Sequence, residues 1–319
     1  MNKKRKSVSV VLIGLFFVVL VIGGCQGAFN KEEQKGVAFV GGTSGLNIAF
    51  AEDEPPAVVL DAAQQSFFIT LRLKNEGEFT IPKGRLIGSL SGILKDVFNL
   101  RSLSVRNEFE IQGVKKEGDS VLAGGEELLE FGEAVYKVDV PADFSTKIRA
   151  DVCYDYQTKA LGNLCLKKNV LKKDLGDVCA VNAGEISAEN SGAPVQVLNL
   201  REHSVGTNRA KVIFKVKNVG IGAVFEPNIF TDACIGHDQD KDRVKVTLFN
   251  PNNNFRVECS QFGNTNSGVV RLVNGEKEIS CTIDTSNLQE ATFQDLLIIQ
   301  MDYMYRDAVE TQLLVKNAL

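Results

Sequence analysis

A period of two, written twice in the same order, is the tightest constraint in this sequence. Residues 69–77 read ITLRLKNEG and residues 212–220 read VIFKVKNVG. Apolar positions match apolar ones, basic match basic, and Asn75 and Gly77 match Asn218 and Gly220. Such alternation turns one face of a strand to a core and the other to water. The Asn-x-Gly end reads as a turn, because both residues tolerate positive φ. A second match lies later: Ala150, Val152, Tyr154 and Tyr156 correspond to Ile299, Met301, Tyr303 and Tyr305. At the same offset Leu164 and Leu166 meet Leu313 and Val315. The offsets are 143 and 149 residues, so strand, turn and return strand are expected at equal length in both halves of a duplicated chain.

Other strand-like runs are Arg85–Leu90, Leu103–Ile111, Ala134–Val140, Lys147–Tyr156, Val195–Leu200, Val244–Phe249, Val269–Val273, Ile279–Ile283 and Leu296–Tyr305. Gly, Asn and Asp clusters separate them. Only Gly92–Leu100 and Leu171–Leu175 have the look of short helices, and no βαβ rhythm is present. The expectation is an all-β fold of two tandem β-sandwiches, at 55–170 and 194–319, joined by a linker at 171–193. The apolar, glycine-bearing stretch Val37–Phe50 reads as an added edge strand or an interaction segment.

The N-terminus addresses the chain. Lys3, Lys4, Arg5 and Lys6 precede an apolar run from Val8 to Ile22, followed by Gly23, Gly24 and Cys25. This is the layout of a secretory signal. Ile22–Cys25 resembles a lipobox, the cleavage site of prokaryotic lipoprotein signal peptidases, which implies a lipid on Cys25. An uncleaved membrane helix over residues 1–24 is the other reading, since the run falls between the two length classes. Both put the rest of the chain outside the cytoplasm. Residues 25–54 then begin with a polar tether, QGAFNKEEQKG after Cys25.

Six further cysteines, Cys153, Cys165, Cys179, Cys234, Cys259 and Cys281, suit three disulfides in an oxidising compartment. Cys153 and Cys165 flank the expected hairpin and Cys259 and Cys281 lie on neighbouring strands, which leaves Cys179 with Cys234 and ties it to the second domain. Reduced, buried thiols are the alternative. No close Cys pair with nearby His indicates a zinc site.

Strands ending in Asn-x-Gly early in a domain of about seven strands resemble the immunoglobulin-like modules of prokaryotic surface proteins, most of all the cell-adhesion-related CARDB type. The matching residues are Ile69, Leu71, Leu73, Asn75 and Gly77, then Val212, Phe214, Val216, Asn218 and Gly220. The resemblance implies a β-sandwich used for spacing and contact, with no catalytic residues to carry over.

Chemistry-bearing patterns are sparse. His203 and His237 stand apart, no Gly-x-Ser-x-Gly elbow occurs, and the Gly-rich GGTSG at 41–45 lacks the Lys-Ser/Thr of a phosphate loop. No catalytic residue and no enzyme activity is expected. Asp238, Asp240 and Asp242 open with the spacing of a calcium loop, but Arg243 and Phe249 occupy the Gly and bidentate-Glu places, so a solvated acidic loop is favoured over a calcium site. Tyr154, Tyr156, Tyr303 and Tyr305 read as packing rather than as an aromatic binding stripe. Without the four N-terminal cations the chain has 32 basic against 40 acidic residues, a net −8, which disfavours nucleic acid as a partner. The expected role is a membrane-tethered surface protein that binds other exported or envelope proteins; a ligand- or calcium-binding lipoprotein is the second reading.

Overall fold

The computed structural model describes residues 39–181, 184–228, 234, 238–289 and 291–318. Cys25, the signal segment and the tether up to residue 38 lie outside these, as do Asp232 and His237. The fold is all-β and sandwich-like, with no α-helix among the described residues. In the first half the strands are β1 (Leu46–Phe50), β2 (Val58–Leu60), β3 (Ser66–Asn75), β4 (Leu86–Ser91), β5 (Ser104–Arg106), β6 (Lys115–Glu117), β7 (Ser120–Leu122), β8 (Glu126–Val135) and β9 (Phe144–Leu166). The second half contributes β10 (Gly184–Glu185), β11 (Glu189–Asn190), β12 (Val195–Ser204), β13 (Arg209–Asn218), β14 (Ala223–Phe225), β15 (Arg243–Phe249), β16 (Val257–Cys259), β17 (Ser267–Arg271), β18 (Glu276–Asp284) and β19 (Phe293–Lys316).

Each half owns one outer sheet: β1-β3-β8 in the first, β10-β12-β13-β18-β16 in the second. The facing layer is common property, a sheet ordered β17-β15-β19-β9-β4-β5. At its centre β9 and β19 run antiparallel through 23 consecutive residue pairs, from Phe144 opposite Val315 to Leu166 opposite Phe293. Residues 37–319 form one compact unit.

The equal-length hairpins expected within each half do not form. Residues 157–163, read as a turn, continue straight as strand, and so do 306–312. The inward row Thr158, Ala160, Gly162 and Leu164 is buried, so alternation never breaks. Gly162 is small for packing rather than for turning: a Cβ there would lie 2.3 Å from Leu200 Cδ2 on β12. The end of β9 therefore faces the outer sheet of the second half. Reciprocally, the end of β19 enters the first half, where Leu314–Lys316 pairs in parallel with β2 and the Asp61 carboxylate accepts the Val140 and Ala318 amides at 2.8 and 2.9 Å. Each half thus receives the final strand segment of the other.

Other expectations fare unevenly. Val37–Phe50 supplies an edge strand, as β1 pairs with β3. Gly92–Leu100 and Leu171–Leu175 are turns and irregular backbone, not helices. Strand β8 replaces the expected run Ala134–Val140; a register shift opposite Phe68/Thr70, with Gly132 at φ 99°, interrupts its alternation and hides it from a period-two reading.

Two expected outcomes follow from the shared sheet. Calorimetry should give one cooperative transition with calorimetric and van't Hoff enthalpies equal, whereas two resolved transitions would show independent halves. A methyl at Gly220 would sit 2.3 Å from the Tyr305 hydroxyl and 2.8 Å from Pro194 Cβ, so Gly220→Ala should cost about 1–3 kcal/mol in a denaturant melt.

Candidate functional site

The duplicated elements converge where β9 and β19 cross the middle of the molecule. Tyr156 lies opposite Tyr303, and Tyr154 opposite Tyr305. All four rings are buried and form a closed cluster, with centroid separations of 5.6, 5.9, 6.2 and 6.3 Å around the ring. Edge and tilted contacts of this kind add to simple area burial. Burial raises the phenol pKa of Tyr154, Tyr156 and Tyr303, and pushes Tyr305 to about 12. The four rings are core, not an exposed binding stripe.

Each hydroxyl is satisfied, and the partners explain the repeated motif. Tyr156 donates to Asn75 Oδ1 at 3.3 Å, and the same oxygen accepts the Gly77 amide at 3.1 Å. In the second half Tyr305 donates to Asn218 Oδ1 at 3.4 Å, which accepts the Gly220 amide at 3.2 Å. Gly77 must lack a side chain, because a Cβ would come 1.9 Å from the Tyr156 hydroxyl. Tyr154 accepts the Leu46 amide at 3.2 Å, while Tyr303 bonds Thr158 Oγ1 at 2.9 Å. Asn-x-Gly and the tyrosine pairs are one device, present twice.

On the opposite face of the shared sheet, Cys153 bonds Cys234 and fastens part of the 226–242 segment over the crossing. Ile87, Phe225 and Met304 pack with this disulfide. Asp155 pairs with Arg85, which also donates to Asn228 Oδ1 at 2.6 Å, and the Cys234 amide donates to Ser89 Oγ at 2.9 Å. Burial raises the Asp155 carboxyl, with Arg85 pulling it part way back. Arg306 lies 4.9 Å from the Phe225 ring centre. The arrangement is a brace, in which charge and sulfur hold a covering segment in place.

The other disulfides are Cys165–Cys179 and Cys259–Cys281. The last agrees with the strand reading, as these residues face one another on β16 and β18. The pairs Cys153–Cys165 and Cys179–Cys234 are corrected. On one straight strand Cys153 and Cys165 stand about 40 Å apart, far beyond disulfide reach. Three disulfides place the chain in an oxidising, extracytoplasmic setting.

His203 is half-buried on β12, in register with Lys211. Asp238 and Asp240 bound a short 3-10 turn, and Asp242 follows with φ 60°. The Asp240 and Asp242 carbonyls accept the Glu226 and Leu272 amides. Among the described residues no group of three His, Cys, Asp or Glu gathers as a metal site, and no helix is long and apolar enough to cross a membrane. A surface groove of about 810 Å³ is polar and lined by Arg209, Asn253, Arg256, Asn264, Asp284 and Asn287.

One titratable group escaped the sequence reading. Glu202, 4% exposed, accepts the Cys165 amide through Oε2 at 2.9 Å, and its Oε1 has no partner. Its only sequence signal is a Glu at an inward position of β12.

No known family model matches the chain, and no curated protein matches it. Among solved structures, the secreted serine protease VesC from Vibrio cholerae is 10% identical with a TM-score of 0.17, over 81% of this chain and 50% of that one. The chain thus spans half the length of that protease. A mutant of the CFA/I adhesin CfaE from enterotoxigenic E. coli is 11% identical with a TM-score of 0.09, over 88% and 85%. Similarity at this level carries no argument about fold or activity.

Burial pushes the Glu202 carboxyl up to about 7, with the Cys165 amide pulling partly against it. An unfolded glutamate ionises near about pH 4.3, so the unfolded chain loses this proton first as pH rises. The contribution to stability is therefore full below about pH 4 and is lost as pH rises through about 7. Glu202→Gln should remove roughly 2–4 kcal/mol of that pH dependence. Urea melts at stepped pH test this; a variant with the parent's slope would rule Glu202 out.

Proposed function

We propose that this protein is a non-enzymatic, membrane-tethered extracytoplasmic protein that holds interaction surfaces at fixed spacing for other exported or envelope proteins. The observation that carries the reading is the unbroken pairing of β9 with β19. A hinged pair of modules can close around a ligand. Two sandwiches sharing one sheet present their outer faces in a set relation, which suits adhesion and scaffolding. The disulfides fit work in an oxidising compartment, where a brace against opening has to be covalent to last. The Ig-like resemblance of the duplicated strands supports the same reading. Cys25 carries the lipid anchor in this reading, and the polar tether joins it to the folded part.

Non-reducing intact mass of protein from native membranes tests the attachment. The expected species begins at Cys25, carries a lipid increment and lacks six thiol hydrogens. A full-length chain with free thiols would overturn the exported reading. Cross-linking on intact cells tests the role, and the expected adduct contains a second exported protein; repeated failure to capture one would count against scaffolding.

A further inference from the structure

Strand β9 leaves the shared sheet at Leu166, and the chain turns back to bond Cys179 to Cys165. The loop so closed reads LKKNVLKKDLGDV. Its base is fixed from within. Lys167, 4% exposed, donates to both Asp177 carboxylate oxygens at 3.0 and 2.8 Å. This contact, with the Thr292 hydroxyl and the Asp174 amide, lowers the Asp177 pKa to about 2. Asn169 Oδ1 accepts the Leu171 and Lys172 amides, each at 3.2 Å. Val170 is buried, and its amide bonds the Thr207 carbonyl at 3.0 Å.

The tip is built the other way. Leu171, Leu175 and Val178 are 57%, 113% and 72% exposed, with exposed Lys172 and Lys173 between them. Lys172 reaches Asp174 at 3.2 Å, an exposed pair that water screens. Single exposed apolar residues are ordinary. Three within one disulfide-closed loop, beside cations, are an unusual concentration of exposed apolar groups. Lys167 is buried on Asp177 at the base, so the exposed tip carries Lys172 and Lys173 against Asp174, a positive excess on a chain of net charge −4. Apolar side chains that enter the headgroup boundary, with lysines meeting phosphates, are the chemistry of contact with an anionic lipid surface. Reach agrees. Cys25 and Phe39 are separated by 14 residues of chain, at most about 50 Å extended. Phe39 lies beside Gln157 and Lys159 near the crossing, and Leu166 lies 11 residues along β9 from Asp155 there, about 36 Å.

We propose that the Cys165–Cys179 loop is a second membrane contact that seats Leu171, Leu175 and Val178 in an anionic bilayer surface. This rests on the membrane-tethered reading above. The chain has no tryptophan, so Leu175→Trp provides a sole reporter, and Leu94→Trp, at a position 69% exposed in the first half, is the control. The full chain is reconstituted into phosphatidylcholine vesicles with or without phosphatidylglycerol, each with brominated lipid. The expected result for Leu175→Trp is a blue shift and quenching of the indole. Both strengthen with phosphatidylglycerol, are lost on adding Lys172→Glu and Lys173→Glu, and are absent from the Leu94→Trp control. A water-like, unquenched Leu175→Trp indole in vesicles that hold the chain would overturn the proposal. A shift that appears only on adding envelope proteins would overturn it in favour of a protein partner. A second preparation starting at residue 37, which retains every strand and all three disulfides, separates the two readings: a shift with added anionic vesicles supports the loop even where the full chain proves untethered.

Discussion

The structure depends on one pairing. Antiparallel strands β9 and β19 exchange a ladder along their whole lengths, and each carries half of its residues into the other sandwich. Without that ladder the first half would lack the strand opposite Phe144–Tyr156, and the second the strand opposite Phe293–Asp302. Each half would then expose a sheet edge and an unfilled inner layer, the usual route to aggregation. Two sandwiches with one common layer are therefore interdependent in a way that linked modules are not.

The crossing point has its own chemistry. Four tyrosines meet where pure aliphatic packing would suffice for burial, and their hydroxyls must then find partners inside the protein. Asn75 and Asn218 supply two of those partners, and each Asn also folds its own turn by accepting an amide two residues on. Strand end, turn and central ladder are thereby locked together in each half. A register slip of one residue along β9 or β19 would move every phenol to the wrong face, so the hydrogen bonds select register as well as add stability.

Much of this was legible in the residues. Alternation marks residues 69–77, residues 212–220 and the centres of β9 and β19, and comparison of the halves reveals the duplication. The sequence also pairs Cys259 with Cys281, since they sit on adjacent strands. What it hides is connectivity between halves. Gln157–Asn163 contains Lys, Gly and Asn, residues that suit a turn, and equal spacing in both halves fits a local hairpin as well as a reciprocal exchange. Only the burial of Thr158, Ala160 and Gly162 against the other half distinguishes them, and that is a long-range fact. From the mistaken turn came the mistaken disulfide, because Cys153 and Cys165 are close only if the chain folds back.

The placement of the disulfides follows from the same straight strand. Cys153 and Cys165 lie on the face of β9 opposite the tyrosine row and are both buried, one at the crossing and one at the strand's end. Cys153 takes Cys234 as its partner, and Cys165 takes Cys179 in the connector between halves. The third disulfide, Cys259–Cys281, instead lies within a ladder, joining β16 to β18. A cross-link acts mainly on the unfolded chain and counts for more the longer the loop it closes, so Cys153–Cys234, 81 residues apart, restrains it most. The connector is closed over 14 residues and so is held locally. It is tied at Cys179 and by the Lys167–Asp177 pair, and Leu175 stands in solvent. Holding apolar groups outward forgoes favourable burial, a cost that the proposed membrane contact would offset.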